Sequence, residues 1–288
     1  LVLKDVYTEN YLGGAAAIAK NLSNISKNIT LLSMIGEKEE FKKLIQKDLP
    51  KNVKLDFLKK KNSPTIIKRR FLDKVNNNKV LGVYSLNDDL LNKPNEKKFH
   101  NKLQKLLPKF DCVIVSDYGH GLISKKSAQI ICKKSKYLAL NAQINSANVG
   151  YHSFKNYRGI NNVVINATEL QQNLRDKNSK TEILMKKLSN LNSINDLTVT
   201  RGESGAILYN KKNKKFYYSS AYAKNKVDKI GAGDTMLGII SLCLKAKMSK
   251  NLSLLIASLA AGKSVENFAN QQVIDKISIL KSIENFLK

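Results

Sequence analysis

The middle of the chain alternates short apolar runs with amphipathic segments, and this rhythm constrains the fold more than any single motif. The runs ITLLSMIG (29–36), DCVIVSD (111–117), YLALN (137–141), NVVIN (162–166) and LTVT (197–200) have the length of buried strands. Between them, segments near 38–48, 95–107, 124–135 and 179–191 carry the apolar spacing of helices. Buried strands separated by helices predict an α/β fold with a mostly parallel sheet covered on both faces. One stretch breaks the rhythm: from about 53 to 85, VKLDFL, TIIKRRFL and KVLGVYSL follow one another with only polar turns between them. It reads as a small antiparallel β lid inserted into a single domain spanning 1–288. From Ala232 onward the chain reads as mostly helical.

In open α/β sheets, ligands bind beyond the carboxyl ends of the strands. Asp117, Asn141, Asn166, Glu169, Thr200 and Gly202 all fall there. The stretch VDKIGAGDTM (227–236) adds a bare turn, Gly231-Ala232-Gly233, immediately before Asp234 and an apolar helix. Successive backbone N–H groups in such a turn form an anion site. A carboxylate beside an anion is repelled by it, so Asp234 suits proton abstraction better than phosphate holding. The competing reading makes Asp234 a helix cap only.

The chain has 288 residues, 42% hydrophobic and 25% charged, enough for a large core. No apolar run reaches the roughly 18 residues of a membrane span, and LVLKDVYTEN has no signal-peptide pattern, so the expected compartment is the cytoplasm. A net charge of +27 raises nucleic-acid binding as a rival. Only five of the 50 basic residues are arginines, and the lysines are spread over nearly every surface segment rather than gathered, so no nucleic-acid partner is expected. Cys112, Cys132 and Cys243 lack paired spacing and read as buried thiols; the three histidines are too scattered for a metal site. ASLAAGKS (257–264) ends like a P-loop but continues a helical pattern, and GAGDTM lacks the last glycine of the dinucleotide fingerprint.

Four motifs then occur in a familiar order. LGGAAAIAKNL, NATEL, TRGESGAIL and DKIGAGDT resemble the sugar-side glycine motif, the N-x-x-E magnesium motif and the two nucleotide-side signatures of the ribokinase, or PfkB, family of carbohydrate kinases. Within that family, LGGAAAIA, PTIIKRRFL, VSDYGHGLIS and YRGINNVVINATEL resemble the bacterial heptose 7-phosphate kinases, the kinase half of enzymes that make ADP-heptose. The resemblance implies a ribokinase-like fold and transfer of the ATP γ-phosphate to a sugar hydroxyl. Asp234 would be the base, with Gly231, Ala232 and Gly233 as the anion hole. Mg²⁺ would lie near Asn166 and Glu169, acting through water. Thr200, Gly202 and Gly205 would line the nucleotide, with Ser258 and Ala261 beside its base. Gly13, Gly14 and Asp117 would face the sugar.

Lys68 and Arg70 share one face of a lid strand, where they could clamp a phosphate already on the acceptor. The apolar alternation of 53–85 also predicts a homodimer joined through the lid. Three departures from the heptose-kinase pattern bear on the acceptor. Gly13 and Gly14 come almost at once after Leu1, so a first strand and one sugar contact are expected to be missing. Ala17 stands where an Asn is usual, and Asn141 opens NAQINSANVG where a charged turn is usual. A nucleotidyltransferase could be fused beyond Lys288. The rival reading is a catalytically reduced, kinase-like binding module of a larger nucleotide-sugar enzyme, although a domain relieved of catalysis has no chemical need for GAGDT.

Overall fold

The computed structural model describes residue 4 and residues 6–75, 78–143, 152, 154–223, 227–268 and 273–287. Six strands form the central sheet: β5 (Val113–Asp117), β6 (Leu138–Ala142), β7 (Ile160–Asn166), β8 (Ile194–Thr200), β9 (Ala206–Asn210) and β10 (Lys215–Ser219). They lie in the order β10-β9-β8-β7-β6-β5. The first four in sequence run parallel, whereas β9 and β10 are antiparallel additions at one edge.

Side-chain alternation builds a core on each face of the sheet. Leu138, Leu140, Val163 and Ile165 pack on one face with α3 (Lys93–Leu106), α4 (Lys125–Lys134), α5 (Ala167–Leu174) and α6 (Thr181–Asn192). Ala139 and Val164 turn to the other face and meet α1 (Gly14–Leu22), α7 (Ala232–Lys245), α8 (Lys250–Val265) and α9 (Lys276–Leu287). The P-loop-like ASLAAGKS lies inside α8, so its backbone is helical and cannot cradle phosphate as a loop.

The expected lid needs one correction. VKLDFL does not join an antiparallel sheet: β2 (Val53–Lys60) pairs in parallel with β1 (Ile29–Gly36), and α2 (Lys42–Asp48) forms part of the crossover between them. Its alternating apolar residues pack with Leu12, Ala19, Leu31 and Leu49 in a small separate core. Alternation alone cannot distinguish this arrangement from a hairpin; the helical crossover decides it. The antiparallel lid is the pair β3 (Ile67–Leu72) and β4 (Lys79–Ser85), with Lys68 opposite Tyr84 and Arg70 opposite Gly82.

The lid is rooted firmly. Lys60, 4% exposed, donates to the carbonyls of Asn87 and Asp89, each at 2.6 Å. On the other side of this segment Gly121 has φ +83°, and a Cβ there would lie 1.9 Å from the Asp89 carbonyl oxygen. The chain returning from the lid is thus held between the end of β2 and the turn that follows β5.

Candidate active site

Gly231, in the left-handed region at φ 85°, turns the chain into α7 without a side-chain cap. The first amides of α7 therefore remain for an anion, as expected of a helix N-terminus. Asp234 sits in the first helical turn, but its carboxylate does not cap the helix. Oδ2 accepts from the Tyr118 hydroxyl at 2.9 Å; Oδ1 accepts from the same hydroxyl at 3.1 Å and from Ser116 Oγ at 3.4 Å. The cap-only reading fails on this geometry. Burial pushes the Asp234 pKa above the ordinary carboxylate value, while Tyr118, Ser116 and the Lys68 charge pull in the opposite direction.

Alternation at the end of β5 sorts three neighbouring residues. Ser116 and Tyr118 reach Asp234 on α7, whereas Asp117 points the other way. Asp117 Oδ2 accepts from the Tyr157 hydroxyl at 2.6 Å and Oδ1 from the Gly119 amide at 3.0 Å, and the residue is 6% exposed. Through these bonds Asp117, expected against substrate, also holds the turn that presents Tyr118.

Gly14, one of the two glycines expected to face the sugar, and the lid converge on Tyr118. Gly13 precedes α1, and Gly14 adopts φ +54°; a Cβ on Gly14 would come within 3.0 Å of the Tyr118 ring. A larger residue there would therefore meet both a backbone penalty and a crowded ring. From the lid, Lys68 Nζ lies 5.0 Å from the Tyr118 ring centroid and 5.7 Å from that of Tyr84. Burial, then the charge of Arg70 two residues along the same strand face, lowers the Lys68 pKa. His120 stacks on Tyr118 with centroids 6.1 Å apart, and its Nδ1 lies 2.7 Å from Asp88 Oδ1 in the lid root. Burial, followed by the Lys68 charge, lowers the His120 pKa. Ala17 is buried in α1, and the Asn141 side chain donates to the Val164 carbonyl at 2.7 Å, tying β6 to β7. Residues 144–150 of the unusual turn lie outside the described residues.

The residues expected on the nucleotide side lie along neighbouring strand ends and on α8. Asn166, Thr200 and Ala206 are in register across β7, β8 and β9. Asn166 and Glu169 form a reciprocal capping box at the start of α5, each side chain accepting from the other's amide at 2.8 Å. Gly202 has φ +61° with open space beside it. Gly205 has φ +76°, and a Cβ there would lie 2.0 Å from the Ser219 carbonyl oxygen. On α8, Ser258 is 5% exposed and its Oγ has no hydrogen-bond partner among the described residues, while Ala261 is half-buried one turn on.

Among the described residues no group of three or more His, Cys, Asp or Glu could hold a metal. The buried carboxylate of Glu169, just past the end of β7, suits an Mg²⁺ that keeps its waters and rides on phosphates, rather than an all-protein cage. A separate groove of about 490 Å³ lies between α4 and residues 154–158 and includes none of these residues.

Sequence reasoning missed Tyr118, Ser116 and His120 as site residues. The signals were their position at the end of an apolar strand and the place of VSDYGHGLIS among the segments that resemble the heptose 7-phosphate kinases.

Comparison with known proteins places this geometry in context. The description "pfkB family carbohydrate kinase" fits residues 2–276. The "Bifunctional protein HldE" of Blochmanniella floridana is 26% identical over 272 residues, covering 91% of this chain and 53% of that protein. The protein of the same name from Campylobacter jejuni is 27% identical, with coverage of 98% and 59%. The chain thus spans about half the length of the curated relatives it matches. Among solved structures, phosphofructokinase-2 of Escherichia coli superposes with a TM-score of 0.76 at 12% identity, covering 99% of this chain and 94% of that one. Ribokinase of Arabidopsis thaliana gives 0.68 at 18% identity, with coverage of 93% and 86%. These structural likenesses establish a ribokinase-like fold. The extent of the family match, with a carboxylate set against a glycine turn, makes the chain a member of the pfkB family of carbohydrate kinases.

Proposed function

We propose that this carbohydrate kinase transfers the γ-phosphate of ATP to a hydroxyl of a sugar that already carries a phosphate, and that the acceptor is a heptose 7-phosphate. The observation that carries the reading is the convergence on Asp234: a glycine turn beside it, Tyr118 and Ser116 against its carboxylate, and Lys68 reaching in from the lid. Asp234 takes the proton of the acceptor hydroxyl as the new O–P bond forms and the bond to the departing diphosphate breaks. The amides of Gly231, Ala232 and Gly233 face the negative charge on the transferred group. Bound through the phosphates near Asn166 and Glu169, Mg²⁺ would neutralise charge. Thr200, Gly202, Gly205, Ser258 and Ala261 would border the nucleotide.

Lys68 and Arg70, on the inner lid face, would hold the acceptor's existing phosphate, Arg70 bidentately and Lys68 as a point charge. The resemblance of VSDYGHGLIS and YRGINNVVINATEL to the heptose 7-phosphate kinases supports a heptose acceptor, and the word bifunctional in the name of relatives about twice as long supports an accompanying second activity, with a nucleotidyltransferase as its proposed identity. A cytoplasmic setting is likewise a proposal; among the described residues no helix is long and apolar enough to cross a membrane.

The test is ATP-dependent ADP release, with Mg²⁺, on paired phosphorylated and unphosphorylated heptoses. Wild type should prefer the phosphorylated sugar, and Arg70→Ala should reduce that preference by at least about tenfold, as loss of a charge-assisted contact predicts. Phosphorylation of neither sugar would reject the acceptor assignment. An unchanged preference in Arg70→Ala would reject the clamp.

A further inference from the structure

The hydroxyl of Tyr118 is placed where the reaction would be most sensitive to it. It donates to both oxygens of Asp234, at 2.9 and 3.1 Å, closer than the Ser116 hydroxyl at 3.4 Å. A carboxylate on the first turn of a helix has rotational freedom about its side-chain bonds. A two-branched bond from one fixed hydroxyl removes much of that freedom and favours the charged form. The ring itself is held on several sides: by the Gly14 backbone of α1, by the Lys68 ammonium of β3 at 5.0 Å, and by His120 of its own turn, which is tied to Asp88. These groups around the Tyr118 side chain thus belong to different parts of the site: the first helix, the lid, the lid root and the base.

We propose that Tyr118 is the positioning residue of the reaction, aiming the Asp234 carboxylate at the acceptor hydroxyl and keeping it ionised, and that the lid bears on the base through Lys68 and the Tyr118 ring. The inference rests on the kinase reading of Asp234. An acceptor hydroxyl takes over the longer branch of the bond at Oδ1, and the shorter branch at Oδ2 keeps the carboxylate aimed. Tyr118 remains a hydroxyl throughout: burial, and then the neighbouring Asp234 charge, push its pKa well above the ordinary tyrosine value, with Glu169 of α5 adding to the rise. The groups that set Asp234's own titration are Tyr118 and Ser116 at the end of β5 and Lys68 on the lid.

The experiment compares wild type with Tyr118→Phe in two ways. The first reads the titration of Asp234 directly, by carbon-13 NMR of aspartate carboxyls, with the signal identified by its loss in Asp234→Asn; it needs no substrate. The second reads the pH profile of kcat/KM with the accepted sugar. Removing a donor to the charged form must raise the carboxyl's midpoint. Tyr118→Phe should thus move both the NMR midpoint and the acid limb of the profile to higher pH. It should also lower kcat by about ten- to a hundredfold, the scale expected when a reacting group is left misaimed, while changing the sugar KM much less.

A midpoint and acid limb identical to wild type would overturn the proposal. If wild type phosphorylates no sugar, the kinase reading has failed and the NMR arm alone decides the positioning role. Replacing Tyr118 with 3-fluorotyrosine provides a second variant of nearly the same shape. It is a stronger donor that stays protonated where carboxylates titrate, so the midpoint should fall; an unchanged or higher midpoint would overturn the inference.

Discussion

At the scale of single residues, Asp234 combines two properties that normally oppose each other in a carboxylate: it is withdrawn from water, and it is hydrogen-bonded by two hydroxyls. Withdrawal makes it a better proton acceptor than a solvated aspartate, and the hydroxyls keep the ionised form available. Turnover should therefore fall on the acid side at a pH above the ordinary aspartate value, as the carboxylate gains its proton. Asp234→Asn should retain the fold and ATP binding, measured calorimetrically, and lose at least about a hundredfold in kcat, the usual cost of removing a general base. Near-normal turnover would remove Asp234 from the mechanism. Asp117 shows the opposite case. Buried against Tyr157 and the Gly119 amide, its carboxylate accepts from both and shapes the turn that carries Tyr118.

At the scale of elements, the turn between β8 and β9 is as tightly specified as the glycine turn before α7. Arg201 donates its amide to the Gly205 carbonyl at 2.8 Å, and Gly205 donates its own to the Gly202 carbonyl at 3.1 Å. Gly205→Ala would place a methyl group 2.0 Å from the Ser219 carbonyl oxygen at a φ of +76°. We expect a loss of roughly 1–3 kcal/mol in stability, read as a lower denaturant midpoint, together with a raised KM for ATP. An alanine variant as stable as wild type would mean that the close approach to Ser219 relaxes freely. The lid shows how strand alternation divides labour within one element. Lys68 and Arg70 lie on the inner face, while Ile67, Arg69 and Phe71 pair across the hairpin with Ser85, Val83 and Leu81 on the outer one.

At the scale of the whole molecule, that outer lid face is the clearest place for a second copy. Phe71, Leu81 and Val83 are 41%, 50% and 44% exposed, side by side on a two-stranded sheet that has no core of its own behind them. An isolated hairpin is marginal in water, so covering this face would stabilise the lid as well as join two chains. We propose a homodimer through the lid. Sedimentation at micromolar concentration should show a dimer for wild type and a monomer for Phe71→Glu. A wild-type monomer would count against it.

Much of the fold was legible in the chain because local patterns carry it. Apolar runs of strand length alternating with amphipathic segments determined a mostly parallel sheet clothed by helices, and GAGDT determined a helix start with an acid in its first turn. Asn166 and Glu169 were visible as a pair because a capping box is local. Tertiary structure alone decided what depends on distant chain segments meeting. The alternation of 53–60 satisfies a hairpin or a parallel pair equally well, and only the crossover through α2 placed it beside β1. Which way Asp117 and Tyr118 point depends on the two faces of β5 having different neighbours, Tyr157 on one side and Asp234 on the other. Tyr118 and Asp234 stand 116 residues apart, and no spacing in a sequence records a hydrogen bond that exists only after α7 has packed against β5.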